Sequence, residues 1–205
     1  MRRLISLLSL CFAVCLLSTG CNKPQAPAPE ANSTATVEAS GEASTADVKL
    51  EILSFDEIQQ RLVAKQGRVV VMDCWSTSCP PCMKDFHNLV ELQKAYPAED
   101  LACISLSFDF EGLGTPEDAE PPVLEFLKSQ GATFDNFMSN EESDVLYRKF
   151  KLNAVPAVFV YDRTGKLRER FESEGAYEKV RALVAELVKE PGAPENETPA
   201  EATAN

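Results

Sequence analysis

Trp75-Ser76-Thr77-Ser78-Cys79-Pro80-Pro81-Cys82 is the stretch on which the fold turns. It follows the apolar, β-branched run Arg68-Val69-Val70-Val71-Met72-Asp73-Cys74 and precedes a helical pattern. That context puts two thiols, two residues apart, at the junction between a buried strand and a helix N-terminus. A disulfide needs Cα atoms roughly 4.4–6.8 Å apart, a separation that the first turn of a helix supplies without backbone movement. Unpaired N–H groups and the positive end of the helix dipole favour a thiolate over a thiol. The stretch reads as a redox-active dithiol.

Strand–WSTSCPPC–helix resembles the active site of thioredoxin-fold oxidoreductases. Far downstream, Asn153-Ala154-Val155-Pro156-Ala157-Val158-Phe159-Val160-Tyr161 resembles the Val-Pro segment in which thioredoxins hold a cis-proline against the active-site disulfide. The two marks flank a helix–strand–helix pattern in the order seen in membrane-tethered TlpA/ResA-type thioredoxins, and the resemblance covers about residues 48–190. It implies an α/β, thioredoxin-like fold: a central mixed β-sheet flanked by helices, with a helix–strand–helix insert before the cis-proline strand. It also implies thiol–disulfide exchange on cysteines of exported proteins, with no cofactor. The implied direction is reduction, because proteins of this type are mostly reductants fed by a membrane electron donor. A disulfide-forming oxidase would use the same residues. A redox-inert binding module on the same fold is the alternative from another class, and the intact Cys79, Cys82 and Pro156 speak against it.

Within the motif the two sulfurs are unequal. Cys79, at the helix start, is expected to be the exposed nucleophile, and Cys82, one turn inside, to resolve the mixed disulfide. A helix dipole contributes about 0.3–1 kcal/mol, ~2 kcal/mol in favourable geometry, which lowers the Cys79 pKa by roughly one unit. Pro80 and Pro81 stiffen the loop and remove two N–H donors, which argues against a strongly oxidising thiol. Asp73 is costly to bury in its strand unless it is protonated or partnered. It matches the buried aspartate of thioredoxins, so the resemblance implies a general acid/base role towards Cys82; a carboxylate hydrogen-bonded at a strand end is the competing reading. Trp75 is expected to pack beside the disulfide and shape the rim, or else to be a plain core tryptophan. Val155 and Pro156 are the implied substrate-binding residues.

The ends differ from the middle. Residues 1–20 carry Arg2 and Arg3, an apolar run and then small residues, the pattern of an export signal. It ends in Leu17-Ser18-Thr19-Gly20-Cys21, which resembles a bacterial lipobox, although Ser18 stands where an aliphatic residue is usual. Cys21 is therefore the lipidation candidate, giving a bacterial membrane lipoprotein that faces the periplasm or cell exterior. The alternative is an ordinary secretory signal cut elsewhere. Residues 21–47 and 191–205 are rich in Ala, Pro, Ser, Thr and Glu with few large apolar side chains, and read as a disordered tether and tail. The thioredoxin-like domain spans 48–190.

Of the seven cysteines, Cys11 and Cys15 fall in the signal, while Cys74 and Cys103 lie in apolar strand patterns where a reduced cysteine acts as a small hydrophobe. Those strands are neighbours in the thioredoxin arrangement, so a second disulfide is the alternative for that pair. A structural zinc site would need a second ligand pair at suitable spacing, and no metal is expected. The single histidine, His87, is off the face of Cys82, and a copper site of the Sco type would need other spacing. Ser76 stands where the TxxC pattern of thiol peroxidases has threonine. The chain's 20 basic and 32 acidic residues, a formal net charge of −12, disfavour nucleic-acid binding. Asp109, Glu111, Glu117, Asp118 and Glu120 concentrate beyond one strand end and are read as a partner-docking loop or a merely solvated one.

Periodicity predicts strands over 48–53, 68–74, 101–108, 133–138, 157–161 and 166–171, and helices over 54–65, 81–96, 121–130, 141–150 and from Tyr177 onward. Ser54 with Glu57 forms a capping box, with Leu53 and Ile58 as a hydrophobic staple. Pro121 is expected to start its helix and Gly131 to end it. Because His87 stands where TlpA-type helices often carry a kink-forming proline, the helix over 81–96 is expected to run straighter than theirs.

Overall fold

A computed structural model describes residues 48–191; the expected signal, the Cys21 anchor, the tether and most of the tail lie outside the described residues. Six strands and six helices follow one another: β1 (Glu51–Leu53), α1 (Phe55–Val63), β2 (Val69–Trp75), α2 (Pro80–Asp85), α3 (His87–Ala95) and β3 (Leu101–Ser107), then α4 (Pro116–Gln130), β4 (Asp135–Ser139), α5 (Ser143–Phe150), β5 (Ala157–Tyr161), β6 (Leu167–Phe171) and α6 (Tyr177–Leu187). The strands make one sheet in the order β1-β4-β3-β2-β5-β6. β1, β4, β3 and β2 are mutually parallel, β5 runs antiparallel to β2 and β6 antiparallel to β5, so the sheet is mixed. The insert α4–β4–α5 adds its strand between β1 and β3.

Every residue of β2 and β3 is buried, as expected of central strands covered on both faces. Alternation divides them. Val70, Met72 and Cys74 pack with Ile58 and Leu62 of α1 and with Leu146 and Phe150 of α5. Val69 and Val71 pack with Leu89 and Leu92 of α3 and with Val180, Val184 and Leu187 of α6. Cys103 belongs to this second layer and Cys74 to the first, so the sheet separates the two thiols, and both are free. The disulfide considered for that pair is not present.

Local signals position these elements. Ser54 caps α1 reciprocally with Glu57, whose side chain accepts from the Ser54 backbone N–H at 2.8 Å. In the β5–β6 turn the Asp162 carboxylate accepts from the N–H groups of Thr164 and Lys166, and Gly165 takes φ 81°. Two helix readings need correction. The segment 81–96 is not one continuous helix but α2 and α3, divided at Phe86. The His87 ring Nδ1 lies 2.9 Å from the Lys84 carbonyl, and the Asn88 amide donates to the Asp85 carbonyl. Leu89 N–H turns to the Phe86 carbonyl instead of that of Asp85, so side chains interrupt the ladder without a proline. Likewise α4 starts at Pro116, not Pro121. Thr115 and Asp118 form its capping box, and Pro121 and Pro122 lie inside the helix with exposed side chains, where water can reach the carbonyls they leave unpaired. Gly131 ends α4 in the left-handed conformation, as expected. Among the described residues no helix is long and apolar enough to cross a membrane.

Candidate active site

β2 ends at Trp75, and a four-residue loop carries the chain to α2, whose N-cap is Cys79. Cys79 and Cys82 form a disulfide with Cα atoms 5.3 Å apart, inside the range a bridge requires. Pro80 and Pro81 occupy the first two helical positions and offer no N–H. The first donor available is Cys82 N–H, and it points at Cys79 Sγ at 3.3 Å. That one bond holds negative charge on Cys79 once the bridge opens. Cys79 is 9 % exposed and Cys82 4 %. Cys79 is thus the more accessible residue of the pair, but it is buried and not the expected exposed nucleophile. Across from it the Val155–Pro156 peptide is cis, and the Val155 carbonyl oxygen lies 3.8 Å from Cys79 Sγ. Val155 and Pro156 are half-buried and Val155 borders the disulfide, so the two sequence marks, 76 residues apart between Cys79 and Val155, meet here.

The loop before Cys79 is tied from behind by Asp109. Its carboxylate accepts from Thr77 N–H at 2.9 Å, from the Thr77 and Ser76 hydroxyls, and from Ser107 Oγ at 2.6 Å. Ser76 is buried and also bonds Ser78 Oγ. Sequence reasoning grouped Asp109 with a partner-docking loop; the structure turns it inward, and Asp118 is spent on capping α4, where its bonds to Thr115 hold its carboxyl below the usual range. Asp109 is thus set apart from Glu111, Glu117 and Asp118, which are exposed. A Ser/Thr-rich loop beside a strand-end aspartate was the available signal for this knot.

Asp73 lies on the β2 face that packs against α3 and α6, 5 % exposed. Its Oδ2 accepts from the Tyr177 hydroxyl at 2.5 Å. Burial lifts its carboxyl to about 7; the Tyr177 bond pulls it down and the nearby Asp85 charge pushes it up. Burial likewise raises the thiols of Cys74 and Cys103, and the Tyr177 phenol. Tyr177 counted in the sequence only as the first apolar residue of the last helix, because a buried phenol and a leucine give the same periodicity. Trp75 is fully buried in the layer that holds both cysteines, with its ring centroid 5.0 Å from that of Phe86 and 4.9 Å from that of Phe126. It therefore supports the motif from beneath and does not form the rim. His87 is exposed at the start of α3, its ring engaged with the Lys84 carbonyl at the end of α2.

Comparison with known proteins agrees with this geometry. The chain is similar to sporulation thiol-disulfide oxidoreductase A of Bacillus subtilis, 20 % identical over 128 residues, covering 62 % of this chain and 68 % of that one. It is similar also to the thiol-disulfide oxidoreductase ResA of Bacillus cereus, 22 % identical over 122 residues, with 60 % and 65 % covered. The chain thus spans about two thirds of the length of these relatives. Among solved structures, a thiol-disulfide isomerase from Corynebacterium glutamicum superposes with a TM-score of 0.53 at 18 % identity, covering 72 % of this chain and 98 % of the other. That likeness shows a shared fold, and the fold is thioredoxin-like. The model of the AhpC/TSA family matches residues 42–170, and the chain belongs to that family.

Proposed function

We propose that this protein is a thiol–disulfide oxidoreductase whose dithiol form reduces disulfides in exported proteins. The observation that carries the reading is the Cys79–Cys82 disulfide at the start of α2, with the carbonyl of the cis Val155–Pro156 peptide beside the outer sulfur. Reduced Cys79 attacks a client disulfide and releases one client thiolate. Cys82 gives its proton to Asp73, attacks Cys79 and releases the second thiolate. Two electrons pass to the client, and the pair closes as the disulfide. A thiol donor at the membrane then restores the dithiol. The reductive direction is supported by the single N–H donor to Cys79: a couple becomes strongly oxidising when its reduced form is specially stabilised, and here Pro80 and Pro81 withhold two donors. Oxidase chemistry with the same residues would need the opposite.

Residues 1–20 act as the export signal, Cys21 bears the lipid, 22–47 tether the 48–190 domain outside the cytoplasm, and 191–205 form a tail. The anchor places the site among exported clients. A Cys82→Ser variant accumulates mixed disulfides with client proteins through Cys79, visible as bands lost on reduction, whereas Cys79→Ser accumulates few. Equal trapping by both refutes the assignment of roles.

A further inference from the structure

We propose that Tyr177 is a positioning residue for the exchange reaction, its hydroxyl holding the Asp73 carboxylate oriented to receive the proton of Cys82. The inference rests on the acid/base role proposed for Asp73. Both side chains are buried, and the 2.5 Å bond between them joins β2 to the first residue of α6. The start of α6 is in turn fastened to the helix that carries Cys82. Glu174 pairs with Lys84 at 3.0 Å, and the Gly175 N–H donates to the Asp85 carboxylate at 2.9 Å, two residues before Tyr177. Lys84 and Asp85 lie within one turn of Cys82 on α2, so one short segment locks both the proton acceptor and the proton donor's helix.

The titratable groups facing Asp73 are Tyr177 from α6, Asp85 from α2 and the Cys103 thiol from β3, with Cys74 next to it on β2; its register partners are Ser105 on β3, whose hydroxyl donates to Asn136, and Val158 on β5. None of these is a cation. The phenol O–H is therefore the group that favours the ionised, proton-accepting carboxylate against burial and the Asp85 charge. In the resolving step the Cys82 S–H proton passes to Asp73, the Cys82 sulfur bonds to Cys79, and the Cys79–client S–S bond breaks with the electron pair leaving on the client thiolate.

The test is single-turnover reduction of a disulfide-bonded peptide by the reduced full-length protein between pH 5.5 and 9, quenched in acid so that mixed-disulfide formation and resolution are timed separately. Tyr177→Phe shifts the midpoint of the resolution profile upward by about one pH unit, a roughly tenfold loss below the midpoint that disappears by pH 9. Asp73→Asn removes the inflection, and the double variant behaves as Asp73→Asn alone. The 13C titration of the Asp73 carboxyl, read by NMR in the wild-type and Tyr177→Phe proteins, gives the same shift without turnover and shows directly whether the variant is folded. An unmoved midpoint in folded Tyr177→Phe, or a further loss in the double variant, overturns the inference while the Asp73 role stands. An unchanged profile in Asp73→Asn instead overturns the reading on which the inference rests.

Discussion

Asp73 stands near half-protonation at neutral pH, because burial has lifted its carboxyl to about 7. The same number is a statement about stability. An unfolded aspartate titrates near 3.9, so the folded protein holds this proton more tightly than the unfolded chain does. Its contribution is harmless below about pH 4, turns unfavourable as pH rises through the window up to about 7, and is constant above that. The full difference is at most about 4 kcal/mol. Asp73→Asn keeps an acceptor for the Tyr177 hydroxyl and removes the charge. Urea denaturation should therefore find it about 2–4 kcal/mol more stable than wild type at pH 8 and nearly equal at pH 4. Its resolving step should be slow near pH 7 and recover as Cys82 ionises unaided; unchanged exchange rates across about pH 6–9 would leave Asp73 a structural residue.

The junction of β2 with α2 works because a neighbouring strand end holds it. Asp109→Ala leaves the Thr77 N–H and the Ser76, Thr77 and Ser107 hydroxyls without their acceptor. Denaturant titration should show a loss of about 1–3 kcal/mol, and the altered Cys79 environment should appear as slower mixed-disulfide formation, with resolution much less affected. In α4 the reverse is expected: Pro121→Ala restores a donor for the Glu117 carbonyl at an exposed helical position and should stabilise by about 1–3 kcal/mol in the same assay. These elements also mark what could be read from sequence. The strand–motif–helix unit, the Val-Pro strand, the Ser54 cap and the alternation of β2 were all legible, since each depends on neighbours in the chain. The start of α4 was missed because a proline pair outweighed the Thr115 cap upstream. The break at Phe86 arises from the His87 and Asn88 side chains reaching back to carbonyls, which no apolar period records. Tyr177 and Asp109 act through partners 104 and 32 residues away, and only the folded sheet brings these together.

At the scale of the whole molecule the sheet order puts the disulfide at the carboxyl end of β2, beside the insert strand's neighbour β3 and the returning β5. The tether proposed for 22–47 would let such a domain reach clients while remaining at a membrane. Mass spectrometry of the membrane-extracted protein should find Cys21 as a lipid-bearing first residue, and Cys21→Ala should become soluble or stay unprocessed; an unmodified N-terminus elsewhere removes the anchor. The central claim is that the Cys79–Cys82 couple donates electrons, and its reduction potential tests that most directly. With one N–H on Cys79 and two prolines withholding others, equilibration against glutathione should give a value below about −200 mV, towards the roughly −270 mV of thioredoxin. A value near the roughly −120 mV of a strong oxidant such as DsbA would contradict the account and make the protein a disulfide-forming enzyme.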